Sequence, residues 1–288
     1  AMNRLGLSDE DELRVVGWVL QVRCMGKQVH ADKKVAEQVA RRAVDTASKQ
    51  GLHALHAEAL AELASLQITQ RQLEDATASL AAAKELSNEA MSADVRSRFA
   101  LVSGSVAAHD GRLDDAKAAL EEAREGFERL GDPYMATAVL VQLSTLMGRL
   151  NRLEDSDAYA TEALKSAKEV GAALFIAESL NGKAEVSRHE GRLEEARAYY
   201  EEARDIAVSI EHRNVIVYEL NLGLILSKTQ RYEDAREIFN EQLTRVRNEV
   251  WGSLVGVIHC LLLPCCAAAN DWEAFDRHLK AAVEAHSG

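Results

Sequence analysis

Proline is almost missing from this chain, with only Pro133 and Pro264 in 288 residues. Helix breaking by proline is therefore excluded along nearly the whole length, and no Pro-, Gly- or Ser-rich linker divides the sequence, which reads as one continuous body. Aromatic residues are equally scarce, 5% against 47% hydrophobic residues. A core with so few rings has to come from close helix packing around small side chains, Ala above all. The four cysteines, Cys24, Cys260, Cys265 and Cys266, have no framework spacing. They read as small hydrophobes in a reducing compartment, so a cytoplasmic location is expected.

Positive charge is also in short supply: 34 Lys and Arg against 46 Asp and Glu give a formal net charge of −12. Nucleic acid is not an expected partner, because sequence-independent affinity for it needs clustered cations. No membrane span is expected either. The longest uncharged stretch, Gly252 to Asn270, contains His259 and Pro264, is short for a bilayer and reads as a buried helix. The opening residues are polar and acidic, unlike a signal peptide. Residues 1–11 read as an N-terminal tail, with Ala1 before Met2 as a tag remnant.

Signatures of chemistry are missing as well. Asn181-Gly182-Lys183 lacks the upstream glycine and following hydroxyl residue of a phosphate loop. His189-Glu190 is not followed by a second His one turn on, the cysteines lack metal-ligand spacing, and no Gly-x-Ser-x-Gly elbow occurs. The expectation is a protein with no enzymatic activity, no cofactor and no metal.

What the chain does have is repetition. Gln72-Leu73-Glu74-Asp75-Ala76 returns about every 40 residues as Arg112-Leu113-Asp114-Asp115-Ala116, Arg152-Leu153-Glu154-Asp155-Ser156, Arg192-Leu193-Glu194-Glu195-Ala196 and Arg231-Tyr232-Glu233-Asp234-Ala235. A fixed period of this size means a stack of like supersecondary units, each covering its neighbour's apolar face. Residues 12–288 divide into seven units, 12–50, 51–90, 91–130, 131–170, 171–210, 211–249 and 250–288. In the third, Asp94 to His109 and Leu113 to Leu130 have helical periodicity, with Gly111 and Gly131 as breaks. The carboxylate pairs fall in the first turn of each second helix, where free N–H groups favour anions. The arginines before them are expected at the end of each first helix, where free carbonyls favour cations.

Two rows of small residues support the stacking: Ala64, Gly104, Ser144, Ala184 and Gly223 in first helices, and Ala43, Ala83, Ala123, Ala163 and Ala203 in second helices. Together with Leu or Tyr at the turn, these rows resemble the tetratricopeptide repeat, and Asn221-Leu222-Gly223 followed by Tyr232 and Ala235 is the closest single match. The resemblance implies an all-α fold, a right-handed α-solenoid of about seven antiparallel helix pairs. The 40-residue spacing exceeds the family's usual 34 and implies long helices. Arrays in bacterial regulators of the maltose-activator type, and arrays attached to bacterial serine/threonine kinases, look similar. In the first unit Lys33 replaces the turn Leu; in the last, Trp272 replaces it and Phe275 stands in place of Ala.

The resemblance also implies that first helices line a concave groove. There the ladder Thr69, His109, Arg149, His189 and Lys228 is flanked by Arg98 and Arg188 and by the hydroxyls Ser65, Ser105 and Thr145, while Glu178, Asn181 and Glu185 add polar groups in the fifth unit. Such a basic ladder would attract an acidic segment of a protein or peptide; alternatively its cations merely complement helix C-termini. The family's carboxylate clamp does not carry over, since its early positions hold Ala61, Ser65, Leu101 and Ser105. The expected function is a protein- or peptide-binding scaffold. Two alternatives stand beside it: an effector-sensing regulatory segment of a larger bacterial signalling protein, kinase or transcription activator, and a self-assembly module. The apolar last unit, with Trp251, Leu254, Val255, Val257, Ile258, Leu261, Leu262 and Leu263, points to a C-terminal continuation or a two-fold homodimer.

Overall fold

The computed structural model describes residues 9–26, 32–70, 72–86, 92–247 and 252–287. Among them are fourteen helices and no strand: α1 (Asp9–Gly26), α2 (Lys33–Lys49), α3 (His53–Thr69), α4 (Leu73–Leu86), α5 (Ala93–His109), α6 (Leu113–Leu130), α7 (Pro133–Arg149) and α8 (Leu153–Glu169), then α9 (Ala173–His189), α10 (Leu193–Ser209), α11 (Val215–Lys228), α12 (Tyr232–Arg247), α13 (Gly252–Ala268) and α14 (Trp272–Ser287). The fold class is all-α, an α-solenoid of helix pairs. Two compact units are present, Ala1–Val170 with α1–α8 and Gly171–Gly288 with α9–α14. Trp251 and the side chain of Thr69 lie outside the described residues.

Each helix packs on its sequence neighbour within its unit. In the first unit α1, α3, α5 and α7 also touch one another in turn, whereas the second helices make no comparable contact among themselves. First helices packed closer than second helices put the first helices on the inner side of the curve. In the second unit α11 and α13 repeat that contact.

The helix ends explain the period. Turns fall at intervals of about 20 residues, with a left-handed residue at or just after the C-cap: Gly111, Gly131, Asn151, Gly171, Gly191, Glu211 and Gln230 among them. Beyond such a residue the chain bonds back into the helix, as where Arg112 N–H reaches the Ala107 carbonyl at 2.9 Å. Glycine reaches this conformation without the steric cost other residues meet. That is why the glycine turns were visible in the sequence and the Asn, Glu and Gln turns were not.

The small rows pack as expected. Ala64, Ala184, Ala123, Ala163 and Ala203 are fully buried, and a Cβ on Gly223 would stand 2.5 Å from the Phe239 ring. Where both partners are serine, polarity is settled locally: Ser156 Oγ donates to the Ser144 carbonyl at 2.8 Å, and Ser144 Oγ to the Ser156 carbonyl at 3.0 Å.

One expectation is corrected. Arg112, Arg152 and Arg192 do not serve the carbonyls of the first helix; they are the N-cap residues of the second. Their guanidinium groups turn to the acidic residue three positions on, Arg152 to Asp155 at 2.5 Å and Arg112 to Asp115 at 3.2 Å, and Arg231 reaches Asp234 at 2.7 Å in the same way. The reason is the turn itself. It places the arginine beyond the first helix, next to the carboxylates that occupy the second helix's first turn.

In the last pair Ile258, Leu262, Cys265 and Cys266 are buried, and α13 runs through Pro264. Trp272 and Val283 on α14, each 58% exposed, and Leu279 at 44%, stay at the surface. No described helix is long and apolar enough to cross a membrane.

Candidate functional site

The first-helix faces of the two units differ in how their charges are spent. In the first unit α1, α3 and α5 meet in an ion cluster. Arg23 pairs with Glu58, with Glu62 at 2.6 Å and with Asp94 at 2.9 Å; Arg98 pairs with Asp94 at 3.1 Å and with Glu62 at 3.4 Å. Two guanidiniums thus face three carboxylates, and burial pushes the Glu58 carboxyl up against the opposing pull of Arg23. Arg98, expected as a ligand-facing cation, is neutralised inside this cluster. Its Asp94 partner lies one turn before it on the same helix, whereas Glu62 comes from a different repeat.

Farther along the same unit, Ser105 Oγ bonds to the Leu101 carbonyl at 3.0 Å and to Gln142 Oε1 at 2.7 Å, and Thr145 Oγ1 donates to the Val141 carbonyl at 3.1 Å. Arg149 reaches the Ala108 carbonyl at 2.7 Å, and His109 is exposed in the last turn of α5.

The second unit gathers its polar groups differently. On α9, Glu185 accepts from Arg188, from Tyr200 Oη of α10 and from Asn221 Nδ2 of α11 at 3.2 Å. Burial, and then the Glu185 charge, hold the Tyr200 hydroxyl well above the usual phenol range, so it stays a donor. Asn221 Nδ2 also donates to Asn181 Oδ1 at 3.3 Å. One turn before Asn181, Glu178 accepts from Asn214 Nδ2 at 3.3 Å, and burial pushes its carboxyl up to about 7. His189 and Lys228 are exposed at the ends of α9 and α11, with His189 Nε2 3.2 Å from Arg188 Nη2.

Asn181, Glu185 and Arg188 therefore form one network, joined by Tyr200 and Asn221, and Glu178 forms a separate pair with Asn214; sequence reasoning missed Tyr200, Asn214 and Asn221 as site residues. Asn214 is the least legible. Residues 212–217 form a tight turn, with Val215 N–H on the His212 carbonyl at 3.2 Å and Val217 N–H on the Asn214 carbonyl at 2.9 Å. This delays α11 to Val215 and leaves the Asn214 side chain on Glu178 instead of capping its own helix. The repeat is one residue shorter here, and that irregularity was the available signal. Among the described residues no three His, Cys, Asp or Glu side chains are grouped to hold a metal.

Residues 175–248, which contain most of this network, match the tetratricopeptide repeat model. No curated protein matches the chain by sequence. Solved structures share the fold at low identity. NprR in complex with its cognate peptide NprX is 15% identical, with 96% of this chain and 78% of that one covered and a TM-score of 0.71. A Rap protein complexed with Competence and Sporulation Factor is 10% identical over 98% of both chains, with a TM-score of 0.67. A Signal Transduction ATPase with Numerous Domains from Pyrococcus horikoshii, described with a tetratricopeptide repeat sensor, is 18% identical; 88% of this chain covers 40% of it, with a TM-score of 0.65. Residues 175–248 are thus tetratricopeptide repeats, and the whole chain shares the helix-pair fold of these structures.

Proposed function

We propose that this protein is a non-catalytic scaffold that holds an extended peptide, or such a segment of a partner protein, against its first helices. The observation that carries this reading is the Asn181–Asn221 pair on α9 and α11, set between Glu178 and Glu185. A carboxamide offers a donor and an acceptor together, which is what a peptide bond of an extended chain needs on each side. The complex of NprR with its cognate peptide supports the same use of the fold. An acidic partner segment is the less favoured form, because Arg98 and Arg188 already face carboxylates and Arg149 a carbonyl. An arrayed library of ten-residue peptides tests the reading. Specific binders are expected, and Asn181→Ala with Asn221→Ala is expected to weaken them by about tenfold or more. A library with no binder removes it.

Two further readings rest on separate observations. The match to part of a larger signalling ATPase favours a regulatory sensing segment, which a kinase or ATPase in the same reading frame would support. The exposed Trp272, Leu279 and Val283 on α14 favour a two-fold homodimer through the last pair. Sedimentation decides this: a monomer at tens of micromolar removes the dimer.

A further inference from the structure

Glu178 is the one carboxylate in the stretch Ala173-Leu174-Phe175-Ile176-Ala177-Glu178-Ser179-Leu180, which otherwise builds the packed start of α9. Among the described residues its one hydrogen bond is the 3.3 Å contact from the Asn214 amide, although an ionised carboxylate has about four acceptor positions. No described cation pairs with it. On the same helix Lys183 lies over the Tyr199 ring of α10, and Arg188 is tied to Glu185, which also takes the Tyr200 hydroxyl. From α11 the facing titratable group is Tyr218. This side chain is 2% exposed, and its hydroxyl, with no well-formed hydrogen bond, lies beside the Asn214 amide and senses the Glu178 charge. A carboxylate short of donors and a buried phenol thus sit together between the first helices α9 and α11. Glu178 is half-buried, and holding its carboxylate there with one donor costs free energy that a matched ligand group would recover.

We propose that Glu178, framed by Asn214 and Tyr218, receives the cationic end of a basic residue, lysine ammonium or arginine guanidinium, in the bound peptide. The proposal rests on the peptide-binding reading and specifies its charge. A cation supplies the donors that Glu178 lacks and removes the reason its carboxyl holds a proton. Binding is therefore linked to proton release. With the carboxyl at about 7, about nine-tenths of a proton leaves per peptide at pH 6, and almost none at pH 8.5.

The test uses the full chain and the arrayed ten-residue library, with central positions varied among Lys, Arg, norleucine and Glu. Basic peptides are expected to be enriched, and comparing Lys with Arg arms identifies which cation fits. Glu178→Gln retains an acceptor for Asn214 and mimics the neutral carboxyl, so the fold is kept; it is expected to weaken basic peptides by about tenfold or more and leave norleucine peptides unchanged. Calorimetry of the best basic peptide at pH 6, in two buffers of different ionisation heat, is expected to report the released proton in the native protein and none in the variant. Peptides that bind without preference for Lys or Arg, or a preference that survives Glu178→Gln, overturn the proposal and leave the scaffold reading intact. No peptide binding at all removes both.

Discussion

The Arg149 guanidinium reaches back one repeat and donates to the Ala108 carbonyl at 2.7 Å. Ala108 is in the last turn of α5, where four carbonyls lack an intrahelical donor. The turn serves Val106 through Asp110 N–H and Ala107 through Arg112 N–H. Arg149 serves the carbonyl between that residue and His109. A side chain that sequence placed in a ligand ladder thus closes a helix end of its neighbour.

Arg149→Ala is expected to lower stability by about 1 kcal/mol, the usual worth of such a charge-assisted cap. Arg149→Met, which retains the apolar stem, isolates the hydrogen bond from the packing. Urea denaturation measures both, and an unshifted midpoint would show that the bond contributes nothing.

Two helical glycines are expected to respond oppositely to alanine. A Cβ at Gly17 in α1 meets nothing within 4 Å, so Gly17→Ala should stabilise by about 0.5–1 kcal/mol through helix propensity. At Gly223 the same Cβ would stand 2.5 Å from the Phe239 ring, and overpacking of about 1–3 kcal/mol outweighs the propensity gain. Thermal melting of the two variants reads the sign of each change.

Gln242 in α12 is fully buried, and neither atom of its carboxamide end has a hydrogen-bond partner. Gln242→Met matches its unbranched shape and removes the unpaired amide. A gain of about 1–2 kcal/mol is expected, most of the desolvation cost of such a group. A loss of stability on denaturation would mean that the amide is satisfied in solution.

Glu62 lies between Arg23 and Arg98 with its side chain 8% exposed. Glu62→Ala leaves Glu58 and Asp94 to face both guanidiniums and is expected to destabilise by about 2–3 kcal/mol, because partly buried cations lose a partner. Added salt should leave most of this loss in place, which separates it from an exposed pair.

The pH dependence of stability isolates Glu178. Its carboxyl is raised in the folded protein from 4.5 to about 7, so the folded state holds the proton more tightly than the unfolded chain. The stability this brings is complete below the unfolded value and is lost as pH rises through about 7. Glu178→Gln escapes that loss. The variant should match the native protein near pH 4.5 and exceed it by on the order of 2–3 kcal/mol at pH 8. Parallel curves for the two proteins from pH 5 to 8 would contradict the raised carboxyl.

The legible parts of this protein were those fixed within one helix or one turn. The bounds of α5 and α6 followed from apolar spacing and from Gly111 and Gly131, and the Asp114–Asp115 pair marked its helix start. The small rows were readable because a stack of identical units repeats the same close contact at the same position, as Ala123, Ala163 and Ala203 do. The expectation of peptide binding came from the likeness of those rows to a known repeat, not from any one residue.

What sequence alone determined is therefore the repeating architecture: helix pairs, their period and the faces they bury. Tertiary structure alone decided which charged side chains reach a neighbouring helix. Arg98 adds Glu62 of α3 to the Asp94 one turn before it, and Arg149 takes a carbonyl of α5. Glu178 is left with one amide donor because a tight turn at 212–217 moved Asn214 into reach. The physical reason is range. Helix propensity and apolar periodicity act over a few residues and repeat with the sequence. The pairing of long charged side chains depends on which group the next helix brings within about 4 Å, a distance no local pattern records.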